Sequence, residues 1–119
     1  MKRTILFTIL LLSLNADAGQ VDIIAAESVQ TSPGVYRFDV TLRHADTGWD
    51  HYADGWEVLT IGGKSLGERI LYHPHVEEQP FTRSLSGVRI PPGETEVVIR
   101  ARDKVHGDTR KQFPLGSMD

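Results

Sequence analysis

The residues of this chain best equipped for chemistry are five histidines, His44, His51, His73, His75 and His106, in a sequence with no cysteine. Two of them stand in the tripeptide His73-Pro74-His75, where two imidazoles can approach one ion and the intervening proline reduces the entropy lost on ordering. With His51 and His106 as further donors, His51, His73, His75 and His106 can be drawn together as a nitrogen site for Zn(II) or Cu(II). Asp50 or Glu77 would then add an oxygen ligand or orient an imidazole from behind. No HExxH or comparable signature accompanies these histidines, and one packed imidazole beside one solvated imidazole accounts for the tripeptide equally well. Asp46, Asp50 and Asp54 fall at intervals of four and, with Glu77 or Glu78, offer oxygens to Ca(II). The chain has no calcium-loop pattern, so a solvated acidic rim is the simpler account.

Trp49, Tyr52 and Trp56, all within eight residues, can form an aromatic platform for a sugar ring or a partner's side chain, or can close the end of a core. Support for catalysis is thin. There is no GxSxG elbow, and Ser84-Leu85-Ser86-Gly87 lies in an alternating strand with no sharp turn to expose a nucleophile. Adjacent Glu77 and Glu78 on a loop mostly repel one another in water. Arg83, Arg89, Arg100 and Arg102 read as solubilising residues paired with Glu57, Glu68 and Glu96. The expectation is a binding module and not an enzyme.

These side chains belong to a chain of 119 residues with a net charge of −3 and 39% hydrophobic residues, the size of one domain. The apolar fraction argues against disorder, and the lack of a basic excess argues against nucleic acid as a partner. At the N-terminus, Lys2 and Arg3 precede the apolar run Ile5 to Leu14 and the small-x-small pattern Ala16-Asp17-Ala18. That arrangement reads as a signal peptide over residues 1–18, cleaved after Ala18. The run is too short to span a bilayer, which takes about 20 residues, so no membrane span is expected after cleavage. Cleavage removes Lys2, Arg3 and Asp17 and moves the net charge from −3 to −4. The product is expected in the periplasm or outside the cell. Without cysteine it must fold on burial alone, with no disulfides, thiolate metal sites or thiol nucleophiles.

The elements that would position the candidate residues are strands. Tyr36, Phe38, Val40 and Leu42 alternate with Arg37, Asp39, Thr41 and Arg43, a period of two that gives one buried and one wet face. Val97, Ile99 and Ala101 alternate in the same way with Glu96, Arg100 and Arg102. The full set of expected strands is Val21 to Val29, Val35 to Arg43, Gly55 to Ile61, Leu66 to Tyr72, Phe81 to Ile90, Thr95 to Val105 and Arg110 to Leu115, with turns at Pro33-Gly34, Gly62-Gly63-Lys64 and Pro91-Pro92-Gly93. About seven short strands over residues 19–119 predict a single all-β domain, an immunoglobulin-like antiparallel β-sandwich, with a small barrel as the alternative. If consecutive strands run up and down, residues 44–54, 73–79 and 105–108 share one end. All five histidines and most of the loop carboxylates then fall together there.

The stretch Gly48-Trp49-Asp50-His51-Tyr52-Ala53-Asp54-Gly55-Trp56-Glu57-Val58, with His73-Pro74-His75-Val76-Glu77-Glu78-Gln79-Pro80-Phe81-Thr82-Arg83-Ser84-Leu85 and Ala101-Arg102-Asp103-Lys104-Val105-His106-Gly107, resembles a family of small exported bacterial proteins of uncharacterised function. The resemblance covers residues 48–107. It implies export and one compact domain, and it carries no catalytic residue onto this chain. Two binding readings follow from the residues. One is a Zn or Cu site built on the histidines. The other is a metal-free surface on which Trp49 and Tyr52 meet an exported protein or a glycan while the histidines tune the contact with pH.

Overall fold

The computed structural model describes residues 20–116. The leader expected over residues 1–18 lies outside the described residues. Among those described there are seven strands and no helix, and therefore no helix long and apolar enough to cross a membrane. The strands are β1 (Asp22–Ser32), β2 (Val35–Arg43), β3 (Ala53–Leu59), β4 (Ser65–Ile70), β5 (Phe81–Arg89), β6 (Glu96–Asp103) and β7 (Gly107–Pro114). They form two antiparallel sheets, β1-β2-β5 and β4-β3-β6-β7. The expected β-sandwich is therefore present, and two separate ladders rule out the barrel.

Each sheet turns its apolar phase toward the other. Phe38, Val40 and Leu42 of β2, with Phe81 and Val88 of β5, meet Trp56 and Val58 of β3 and Val97, Ile99 and Ala101 of β6 in one buried cluster. Trp56, Val40, Leu42, Val58 and Ile99 are fully excluded from water. Burying each such side chain favours folding by roughly 1.5–3 kcal/mol, which is how a domain without cysteine holds together. The central strand β3 is covered on its outer face as well. Glu57 is buried there beneath an ion pair with Arg100, and it accepts a 2.6 Å hydrogen bond from the Ser65 hydroxyl.

Several strand bounds shift by one to three residues from expectation, β1 running on to Ser32 and β3 covering Ala53–Leu59, and two of the shifts share one local reason. β6 stops at Asp103 and not at residue 105, because the Asp103 carboxylate turns forward to accept the backbone N–H groups of Val105 and His106. That closes a tight turn of the kind acidic side chains favour. Gly107 supplies the positive φ of +87° that lets β7 begin at once, three residues before the expected start at Arg110.

The register then gathers the strand ends. Asp22 pairs with Arg43 and Leu42 with Phe81 in one sheet, while Ala53 pairs with Asp103, Gly55 with Ile70 and Asp103 with Gly107 in the other. Segments 44–52, 71–80 and 104–106 therefore emerge from the same end of the sandwich.

Candidate metal centre

The inward phase of two core strands continues past their last apolar residues and delivers polar side chains into the end of the core. In β2 the buried positions Phe38, Val40 and Leu42 are followed in phase by His44 and Asp46, both buried. In β6 the buried positions Val97, Ile99 and Ala101 are followed by Asp103. The side chains of His44, Asp46 and Asp103 are entirely excluded from solvent. Polar groups so placed cost free energy unless each finds a partner, and here they find one another.

The centre of the arrangement is one atom, Oδ2 of Asp103. His44 Nε2 lies 2.9 Å from it, His51 Nε2 3.1 Å and His106 Nδ1 3.1 Å. The other oxygen, Oδ1, is occupied by the amides of Val105 and His106. The rings surround this point from three directions, with His51 4.8 Å from His44 and 4.9 Å from His106 between centroids. His44 and Asp103 form the floor. The side chains of His51 and His106 are 20% and 40% exposed and form a wall open to water.

This packing is electrostatically unusual. Burial alone would raise the pKa of Asp103, but the backbone N–H of His106, the His44 and His106 imidazoles and the backbone N–H of Val105 outweigh it and hold the carboxyl well below the usual carboxylate range. The group is an anion at any physiological pH. One carboxylate oxygen has two lone pairs, yet three imidazole nitrogens converge on this one. His44 adds a second constraint, because its Nδ1 faces Oδ1 of Asp46 while its Nε2 faces Asp103. A neutral imidazole has one N–H and cannot donate to both carboxylates. Either the ring is an imidazolium, or it donates from Nδ1 to Asp46 and turns the Nε2 lone pair toward a cation shared with Asp103.

The donor chemistry fits such a cation. Nitrogen from His44 and His51 and oxygen from Asp103 lie within 4.8 Å of one another, and His106 Nδ1 meets the same oxygen. Bonds of about 2.0–2.1 Å in a tetrahedral Zn(II) site imply edges of roughly 3.3 Å between donors. The three N···O separations are close to that value, and the imidazole nitrogens would have to draw in toward a common ion. The set is borderline in softness and contains no sulfur, which suits Zn(II) or Cu(II).

The histidines singled out in the sequence are distributed across this end. His51 and His106 share Asp103. His75 stands one residue removed. Its backbone N–H donates to Asp46, its ring stacks on Phe81 at 4.0 Å, and its Nε2 lies 3.1 Å from the Arg83 guanidinium. Burial, followed by the positive charge of Arg83, lowers the His75 pKa and keeps the ring neutral. His73 is exposed on the rim with its ring 6.1 Å from that of Trp49. Asp50 and Glu77 are also exposed. Of the aromatic residues, Trp49 is 63% exposed, whereas Tyr52 is buried and lies under Lys104, and Trp56 is wholly in the core. The residues that sequence reasoning did not select as ligands are His44 and Asp103. Their signal was positional, since each continues the buried phase of an alternating strand.

The chain is similar to a protein of Halomicrobium mukohataei named "Putative lipoprotein", with 44% identity over 92 residues. That segment is 76% of this chain and 43% of the relative, so the chain spans less than half of the protein it matches. No family model and no solved structure matches the chain.

Proposed function

We propose that this protein is an exported, immunoglobulin-like binding module, not an enzyme, that holds a Zn(II) or Cu(II) ion through His44, His51, His106 and Asp103. The observation that carries the reading is the convergence of three imidazole nitrogens, at 2.9–3.1 Å, on one oxygen of a carboxylate excluded from solvent. A divalent cation at that point would take the nitrogen lone pairs and the carboxylate charge together. It would also let every neutral ring keep its proton on the nitrogen facing away from the ion. Export and a cell-envelope location are supported by the signal-like N-terminus and by the name of the relative. The test is calorimetric titration of chelator-stripped protein with Zn(II) and Cu(II), repeated on a His51→Ala, His106→Ala variant and on a His73→Ala variant. The reading expects stoichiometric, submicromolar binding that the first variant loses and the second keeps. Binding that is absent, or indifferent to His51 and His106, removes it.

A second reading rests on Trp49, Tyr72, Val76 and Val105, four large apolar side chains left exposed by the three segments at this end. Such a rim suits contact with an exported protein or a glycan. A partner captured from envelope extract by the wild type and lost with Trp49→Ala, Tyr72→Ala would favour this reading. Capture unaffected by those changes would exclude it.

A further inference from the structure

The metal-site reading leaves the segment between β4 and β5 without a role, although it holds the most conspicuous motif of the chain, His73-Pro74-His75. The contacts of this segment lead to His44. Oδ1 of Asp46 faces His44 Nδ1 and also accepts the backbone N–H of Ala53 at 3.1 Å. Oδ2 of the same carboxylate accepts the backbone N–H of His75. Gln79 makes a second bridge, accepting the His44 backbone N–H on Oε1 at 2.9 Å and donating from Nε2 to the His75 carbonyl at 2.7 Å. His44 is thus held through its ring by Asp46 and through its backbone by Gln79, and both holding residues are fastened to the backbone of His75.

We infer that Asp46 and Gln79 are positioning residues for the metal centre: Asp46 fixes the proton of His44 on Nδ1 and so presents Nε2 to the ion, and Gln79 locks the His44 backbone to the 73–79 segment. The inference rests on the metal reading and reassigns that segment from ligand donor to brace. The physical ground is that an imidazole ligand needs both a fixed tautomer and a fixed ring plane. A buried carboxylate on the distal nitrogen supplies both and raises ligand basicity. Asp46 has no alternative solvent partner, since its side chain is wholly buried. The nearest further cationic candidate is His75 Nδ1, 3.9 Å from Oδ2, which has no hydrogen-bond partner among the described residues.

The experiment compares Zn(II) affinity of the wild type, Asp46→Asn and Gln79→Ala by competition with a chromophoric chelator, and follows the His44 ring nitrogens by 15N NMR in the Zn-loaded forms. Asparagine keeps the shape and one acceptor oxygen but loses the charge and the acceptor of one backbone N–H, that of Ala53 or of His75. Asp46→Asn should therefore weaken binding by about 10- to 100-fold, with His44 still ligating through Nε2. Gln79→Ala should weaken binding less, in the same direction, with the ligand set unchanged. Circular dichroism identifies a variant that fails to fold, in which case the other variant decides. Wild-type protein that binds no Zn(II) overturns the metal reading and this inference with it. Wild-type binding with both variants unaltered, or with His44 ligating through Nδ1, overturns this inference alone.

Discussion

Replacing Asp103 by asparagine should be among the most damaging single changes in the metal-free protein, and its cost can be worked from the contacts. The carboxylate accepts two backbone N–H groups through Oδ1 and faces three imidazole nitrogens through Oδ2, with its side chain wholly buried. An asparagine oriented to keep the turn retains the Val105 and His106 amides on its carbonyl oxygen. It then presents N–H donors to three rings and removes the anion that any ring proton at this point requires. Hydrogen bonds to a charged group contribute about 1.5–3 kcal/mol each, and breaking a buried charged pair costs about 3–5 kcal/mol. Neutral rings can reorient to accept from the new amide, so the expected loss lies near the lower end, about 3 kcal/mol. At about 4–8 °C per kcal/mol for a domain of this size, the midpoint should fall by roughly 12–24 °C. Urea and thermal unfolding in the presence of chelator measure both quantities. A loss below about 1 kcal/mol would show that the three imidazoles do not depend on the charge of Asp103, and the electrostatic account of this end would fail.

Acid should destabilise the metal-free fold in two stages. The folded-state pKa of His75 is lowered by burial and Arg83, so the unfolded chain takes up that proton first and stability falls as pH drops below about 6.5. Asp103 is lowered far more strongly, so its contribution is complete above its unfolded value near 3.9 and is lost as pH falls further toward its folded value. Unfolding free energy against pH should flatten below pH 4 in Asp103→Asn, and an unchanged acid limb would refute the assignment. Gly55→Ala should cost about 1–2 kcal/mol by denaturation, because an added Cβ would lie 2.7 Å from the Arg102 guanidinium and 3.2 Å from the Arg69 carbonyl. Its effect comes from displacing Arg102 from Asp54 and Glu68, so the same change in an Arg102→Ala background should cost less.

Much of the sandwich was legible because burial imposes a period of two. β2 and β6 declare their inner faces through Phe38, Val40, Leu42 and Val97, Ile99, Ala101, and the Gly/Pro turns place the opposite connections. Strand alternation also brought the histidine-bearing segments to one end. The buried His/Asp cluster was harder to read, for a physical reason. Attention to spacing favours His73 and His75, yet close spacing in sequence does not aim two rings at one point. His75 packs flat on Phe81 and His73 points to the rim. Continuing the inner phase beyond the apolar residues would have found His44, Asp46 and Asp103, because a polar residue in a core phase must be paired or bound. The turn after β6 escapes the strand pattern for a related reason. The Asp103 carboxylate caps the amides that a continuing strand would have left to its neighbour.

Whether His44, His51, His106 and Asp103 hold the ion is tested by the Zn K-edge X-ray absorption spectrum of the Zn-loaded protein. The account predicts a four-coordinate ion with three imidazole nitrogens at about 2.0–2.1 Å and one carboxylate oxygen. The imidazole scattering should diminish by one ring in each single variant, His51→Ala or His106→Ala. A shell of water oxygens with one imidazole or none, or a spectrum unchanged by those substitutions, would contradict it.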